Sequence, residues 1–291
     1  MARIIPVLDL DRLEQGESEL RTFLFDLRTA ARDVGFFYLS SHGITQPDID
    51  AVLDAARRFF ALSEADKLAI EMVKSPQFRG YTRAGGELTR GKADWREQLD
   101  IGVERATISQ GPSVPAWTRL QGPNQWPAAL PELKPALLAW QTKATEVAIR
   151  LLKAFALSLD QPEDAFDPIY GSEPNHRMKI VRYPGRDATG DDQGVGAHKD
   201  GGFLTLLLQD ENKGLQVEYD GSWVNVDPIP ANARGQHRRT ARTRFERVSE
   251  SNRAPRRHTA ARRRADFGAV LLQRPARRDH PAARPSAGTG G

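Results

Sequence analysis

The chain changes character at residue 232. From Asn232 to Gly291 it carries 16 Arg, no Lys and four acids, a net charge of +12, whereas residues 1–231 carry a net charge of −8. The Arg/Ala/Pro-rich stretch has few large apolar side chains to set against the entropy of ordering it, so it reads as a disordered tail. Any sizeable core must then be built from the first 231 residues, which suffice for one large domain or two small ones. The absence of Cys excludes a disulfide scaffold, a zinc ribbon, an iron–sulfur cluster and a thiol nucleophile. No apolar run approaches the ~20 residues of a membrane span, and Met1-Ala2-Arg3-Ile4 does not open a signal peptide. The expectation is a cytoplasmic protein with no membrane partner.

Within the acidic part, helices come first and strands afterwards, which predicts an α+β fold. Ile4–Leu10 is a short apolar strand candidate. Leu20, Phe23, Leu24, Leu27, Ala31 and Val34 recur at helical spacing up to Gly35. Gly35–Leu39 is aromatic and strand-like, and His42-Gly43 forms a turn. A second helix spans Gln46–Ala61, loop-like sequence occupies roughly residues 75–126, and a long helix runs from Pro135 to Leu159. Strand-like runs follow at Met178–Tyr183, Gly201–Gln209, Leu215–Tyr219 and Trp223–Val226.

The chemistry-bearing string is Gly196-Ala197-His198-Lys199-Asp200-Gly201-Gly202, followed by the apolar run Phe203–Leu208. Residues two apart on a strand point to one face, with Cα atoms about 6.6 Å apart at ~3.3 Å per residue. One imidazole nitrogen of His198 and one carboxylate oxygen of Asp200 can therefore converge on a single metal. With a second His from elsewhere, this is the facial triad of non-haem Fe(II) oxygenases, which leaves positions open for substrate and O2. A solvated loop His beside a surface Asp is the alternative that an isolated His-x-Asp would favour.

The flanking sequence decides between them. Ile5-Pro6-Val7-Leu8-Asp9-Leu10, Gly35-Phe36-Phe37-Tyr38-Leu39, His42-Gly43-Ile44, Arg79-Gly80-Tyr81, Glu97 with Asp100-Ile101-Gly102, Gly122–Pro127, Arg182-Tyr183-Pro184, the His198-Lys199-Asp200 string and Gly214–Val217 occur in order. This series resembles the isopenicillin N synthase-like 2-oxoglutarate/Fe(II)-dependent dioxygenases over about residues 4–230. The resemblance implies a double-stranded β-helix (jelly roll) core with flanking N-terminal helices and an iron-dependent oxygenase. Such an enzyme uses 2-oxoglutarate and O2 to oxidise a small-molecule substrate and releases succinate and CO2. It implies His198 and Asp200 as metal ligands, with no further catalytic residue, and Tyr183 as a residue facing the iron or 2-oxoglutarate. Tyr38, His42 and Tyr81 read as packing and turn residues.

The tail departs from that pattern. The resemblance implies a second His ligand near residue 254 and an Arg-x-Ser near residue 264, where the guanidinium would clamp the far carboxylate of 2-oxoglutarate. Arg253-Ala254-Pro255 and Arg262-Arg263-Arg264-Ala265 stand there instead. His237, His258 and His280 lie among Arg and Pro, and His258 is the substitute ligand candidate, disfavoured by its cationic neighbours Arg256 and Arg257. A one-nucleotide shift of permissible codons turns residues 236–243 into Asn-Ile-Gly-Glu-Leu-Leu-Glu, residues 251–257 into Ala-Thr-Val-His-Arg-Val, and residues 270–273 into Phe-Phe-Phe-Asn. All three resemble the family in one frame, in order, and the second supplies the missing His. The tail therefore reads as a frameshifted translation. The expected organisation is an N-terminal dioxygenase region at 1–130, the long helix and the first part of the jelly roll at 131–231, and an Arg-rich tail at 232–291 that leaves the jelly roll incomplete and the chain impaired. Two alternatives remain: an ethylene- and succinate-forming member of the same family, and a non-catalytic dioxygenase-like protein with a basic tail. Any nucleic-acid contact of that tail is expected to be non-specific.

Overall fold

The computed structural model of the protein describes residues 5–171, 174–184, 194–198 and 204–229, together with strands at 239–243, 265–266 and 269–273. In chain order these form β1 (Val7–Asp9), α1 (Glu17–Thr29), β2 (Phe36–Ser40), α2 (Gln46–Ala61), α3 (Glu64–Ala69), β3 (Gly80–Thr82), β4 (Leu88–Thr89), β5 (Lys92–Ala93), β6 (Glu97–Gly102), α4 (Leu133–Ser158), α5 (Asp167–Tyr170), β7 (His176–Tyr183), β8 (Leu204–Gln209), β9 (Gln216–Tyr219), β10 (Ser222–Asn225), β11 (Arg239–Thr243), β12 (Ala265–Asp266) and β13 (Ala269–Gln273).

The three long helices follow from local rules. Before α2, Thr45 accepts from the Asp48 backbone N–H while the Asp48 carboxylate accepts from the Thr45 N–H, a capping box with Pro47 in the first turn. Ile49, Val52, Leu53, Ala56, Phe59 and Phe60 then fall on one buried face. The helix begun by α1 widens into a π turn over Ala30–Val34 and stops where Gly35 turns left-handed, φ 76°, and donates back to the Ala30 carbonyl. From α4, Leu137, Trp140, Ala144, Val147, Leu151 and Phe155 complete the helical layer.

That layer covers one face of a nine-stranded sheet of order β1-β2-β11-β8-β13-β7-β6-β3, with β12 also paired to β7. Leu99, Ile101, Met178, Ile180, Leu204, Leu206 and Leu208 meet the helices in one continuous core. A smaller cluster of Ile5, Tyr38, Val217 and Val226 sits beneath the β9–β10 hairpin, where Tyr38 donates its hydroxyl to the Asp227 carbonyl at 2.8 Å. His42 is buried at the turn after β2, and its Nδ1 accepts from the Ile44 N–H. No helix among the described residues is long and apolar enough to cross a membrane.

Two expectations need correction. The stretch 75–126 is not all loop: it holds β3, the β4–β5 hairpin and β6, and all six residues of β6 are buried. A strand covered on both faces shows no polar–apolar alternation, so its sequence pattern is silent. The second correction concerns the tail, where three segments are strands of the main sheet. β11 is antiparallel to both β2 (Thr240 opposite Tyr38) and β8 (Thr240 opposite Leu207). β13 is parallel to both β7 and β8. Ladder bonds come from backbone N–H and C=O groups, so an Arg-containing segment can fill an open slot that apolar patterning would never assign to it. β7 and β8 are thereby paired on both edges.

Candidate active site

The site lies on the face of β6 and β7 turned away from the helices. Their antiparallel register places Glu97 opposite Arg182, Leu99 opposite Ile180 and Ile101 opposite Met178, and this set faces the helical layer. On that side Glu97 accepts from Lys67 Nζ at 2.9 Å and from the Tyr81 hydroxyl at 2.6 Å, and pairs with Arg182, whose guanidinium lies over the Phe60 ring. Burial and the bond to the Glu97 carboxylate hold the Tyr81 hydroxyl well above the usual phenol range. Tyr81 thus braces a buried carboxylate.

The alternate residues Gln98, Asp100, Lys179, Val181 and Tyr183 share the opposite face. There Asp100 pairs with Lys179 at 3.2 Å and accepts from Gln98 Nε2 at 2.8 Å. Gln98 also donates to Glu87, which in turn takes Arg96 at 3.0 Å. Burial pushes the Asp100 carboxyl up, against the pull of Lys179. Burial likewise raises the Tyr183 hydroxyl, opposed by charge attraction and a hydrogen bond from Arg96. For Arg96, burial works against the cation, but Tyr183 and Glu87 outweigh it and the guanidinium stays charged.

Tyr183 also reaches the segment that carries His198: a Cβ built on Gly194 would overlap its ring. Two residues on, the Gly196 N–H donates to Asp94 Oδ1 at 3.1 Å, and the Gly196 carbonyl lies 2.8 Å from His198 Nδ1. A carbonyl only accepts, so Nδ1 carries the proton and the ring's acceptor lone pair is on Nε2. A neutral imidazole whose second nitrogen donates to a backbone carbonyl is the form in which histidine binds metals. On this observation His198 fits an Fe(II) ligand. Asp200 and His258 lie outside the described residues, as do positions 254 and 264. The structure therefore brings Tyr183 and His198 to one place and adds Asp94 and Arg96. Those two were missed because they sit in a stretch that reads as loop, 102 residues from Gly196 in Asp94's case.

The same reading comes from known proteins. Residues 5–129 match the family model described as non-haem dioxygenase in morphine synthesis N-terminal, and residues 174–254 match the 2OG-Fe(II) oxygenase superfamily. A homoarginine-6-hydroxylase of Arabidopsis thaliana is 34% identical over 243 residues, covering 78% of this chain and 71% of that one. The chain belongs to the 2-oxoglutarate/Fe(II)-dependent dioxygenase family. The 2-oxoglutarate-dependent dioxygenase frbJ of Dothideomycetidae sp. is 39% identical over 230 residues, and the chain spans 61% of its length. Among solved structures, a 2OG-Fe(II) oxygenase family protein of Caulobacter crescentus superposes with a TM-score of 0.67 at 26% identity, over 83% of this chain and 74% of that one. A full-length Neurospora crassa protein, solved in complex with alpha-KG, gives 0.67 over 82% of this chain and 72% of its own at 23% identity, a likeness of fold. These dioxygenases share the jelly-roll core, and the family's cofactors are Fe(II) and 2-oxoglutarate.

Proposed function

We propose that the intact enzyme is a hydroxylase of a small polar molecule, and that the chain as it stands is an impaired form of it. His198 and Asp200 would hold the Fe(II), and Tyr183, with Arg96 fixing its hydroxyl, would stand beside the bound 2-oxoglutarate. When bound, iron and 2-oxoglutarate supply the O2-dependent oxidising step that releases succinate and CO2. Hydroxylation is favoured over ethylene formation because several relatives are named as hydroxylases. Four of them are homoarginine-6-hydroxylases, which makes homoarginine and other cationic amino acids the first substrates to try. The observation that carries the reading is the His198 Nδ1 contact to the Gly196 carbonyl, which presents Nε2 as a ligand.

Impairment follows from what stands at the missing positions. Arg253-Ala254-Pro255 supplies no imidazole and Arg262–Ala265 no Arg-x-Ser. Losing even an outer partner of a metal ligand typically costs 10- to 100-fold in affinity or activity, and loss of a ligand costs at least that. The anionic co-substrate also loses charge-assisted bonds worth roughly 1.5–3 kcal/mol each. The positions where β11 and β13 enter the sheet coincide with two of the three strings that the frame shift would restore, at 236–243 and 270–273, which supports a shifted frame over an evolved basic arm.

The test compares two proteins with Fe(II), ascorbate and 2-oxoglutarate: this chain, and a form with its frame restored between the codons for Ile229 and Gln236. Succinate should form only with the restored protein, and His198→Ala or Asp200→Ala in that protein should abolish it. Turnover retained in either variant would refute the ligand assignment; turnover by the 291-residue chain would refute the impairment.

A further inference from the structure

We propose that Asp94 is the positioning residue for His198: its carboxylate, fixed on the β4–β5 hairpin, holds Gly196 so that the Gly196 carbonyl locks the imidazole in the metal-binding tautomer. This rests on His198 being the ligand proposed above.

The hairpin is a rigid mount. β4 and β5 pair with Leu88 opposite Ala93 and Thr89 opposite Lys92, leaving Arg90-Gly91 as a two-residue turn. Arg90 (φ 53°) and Gly91 (φ 80°) are both left-handed, the type I′ geometry whose twist matches the flanking strands. Just beyond it, the Asp94 N–H donates to the Glu87 carbonyl at 2.9 Å, and the Asp94 carbonyl accepts from the Gly85 N–H at 2.8 Å. The backbone of Asp94 is thus tied on both sides.

Asp94 is 1% exposed. A buried carboxylate is costly unless each oxygen has a donor. Thr89 Oγ1 serves Oδ2 at 2.8 Å, with Arg96 3.6 Å away, and Oδ1 takes the Gly196 N–H at 3.1 Å. A carboxylate–amide bond of this kind is charge-assisted, about twice the strength of a neutral one. It reaches across 102 residues of sequence and ties the segment 194–198 to the hairpin.

The consequence is at the imidazole. His198 itself is exposed, and an imidazole in water prefers its proton on Nε2, the wrong nitrogen for a ligand that must bind through Nε2. The Gly196 carbonyl, 2.8 Å from Nδ1, reverses that preference. Nothing in the local string Gly196-Ala197-His198 compels this carbonyl to point at the ring. The Asp94 bond supplies the compulsion from outside.

The test needs no metal and uses the full chain labelled with 15N, at a pH where the His198 ring is neutral. The ring nitrogen shifts report the tautomer, and hydrogen exchange at the Gly196 amide reports the Asp94 bond. In the unmodified chain the Nδ1–H tautomer should dominate and the Gly196 amide should be protected. Asp94→Ala should give mixed tautomers and exchange about 10- to 100-fold faster at Gly196, the size expected for loss of one bond to a charged group. Asp94→Ser is a second variant with the same expectation. Asp94→Asn, which keeps an acceptor oxygen, should restore both signals. Thr89→Val removes the other donor to the carboxylate and should leave the tautomer unchanged, which a merely structural role for Asp94 would not allow. A dominant Nε2–H tautomer in the unmodified chain, or an unchanged tautomer in Asp94→Ala, overturns the proposal. Because the readout is metal-free, it fails independently of the succinate assay with His198→Ala, which tests the ligand assignment.

Discussion

Strands β6 and β7 carry buried charge on both faces, and the two faces use it differently. On the helix side, Glu97 is closed in by Lys67, Tyr81 and Arg182, with its side chain 4% exposed. On the other side, Asp100, Gln98, Glu87, Arg96 and Asp94 form an open chain of contacts that ends at Gly196 and His198. A closed cluster with all its donors facing inward is bracing. On the function proposed above, an open chain that holds a carboxyl above its usual range and leads to a candidate metal ligand would line the active site, where stability is given up for chemistry.

If that contrast is right, breaking the helix-side cluster has the largest effect. Glu97→Ala leaves Lys67 and Arg182 beside a buried gap, and removing one partner of a buried pair costs about 3–5 kcal/mol. Urea unfolding should show it as a large drop in midpoint, with Glu97→Gln falling between. A loss below about 1 kcal/mol would erase the distinction.

Next in size is a pH effect at the foot of β7. His176 is buried, and burial, with the positive Arg105 nearby, lowers its pKa to about 4. The folded state resists a proton that the unfolded chain accepts at its ordinary pKa of 6.5. Stability is therefore full above that value, falls as pH drops toward about 4, and levels off below it. The total should be about 3 kcal/mol, and His176→Leu should flatten the slope measured by denaturant unfolding between these pH values. Smaller again is Thr45→Ala, which opens the α2 capping box and should cost about 1 kcal/mol in the same assay.

The smallest effect belongs to the opposite face. Burial holds the Asp100 carboxyl above its unfolded value, so its contribution is full below the unfolded pKa and is lost as pH rises through the folded one. Asp100→Asn keeps an acceptor for Gln98 and removes the charge, so at neutral pH it should leave stability unchanged or raise it by up to about 1 kcal/mol. A loss as large as that of Glu97→Ala would show both faces to be structural.

How legible the molecule is in its sequence tracks how local the cause is. α2 is legible because Thr45, Asp48 and the Ile49–Phe60 spacing all lie within one helix. β8 is legible by its alternation, Leu204, Leu206 and Leu208 buried with Thr205, Leu207 and Gln209 between them. β6 is not, because Gln98 and Asp100 are buried on the site face among one another rather than turned to water. At the site, His198 stands out by its place in a string that resembles a family, and Tyr183 by the Arg182-Tyr183-Pro184 triplet. Asp94 has no such signal, since its meaning is a bond to Gly196 that only the tertiary fold creates. β11 and β13 were illegible for a different reason: their place in the sheet is set by the neighbours' unpaired backbones rather than by their own side chains.

The interleaving of β11 between β2 and β8, and of β13 between β8 and β7, has a consequence in time. Among the described residues β8 pairs with no strand that precedes it; both of its neighbours come from beyond residue 238. During synthesis, β2, β7 and β8 must therefore wait with bare edges until residues 239–273 have emerged. Closure by such distant pairings is slow, and bare strand edges are what chaperones and aggregates capture. The change of reading frame proposed near residue 232 would fall in the segment on which the sheet waits longest.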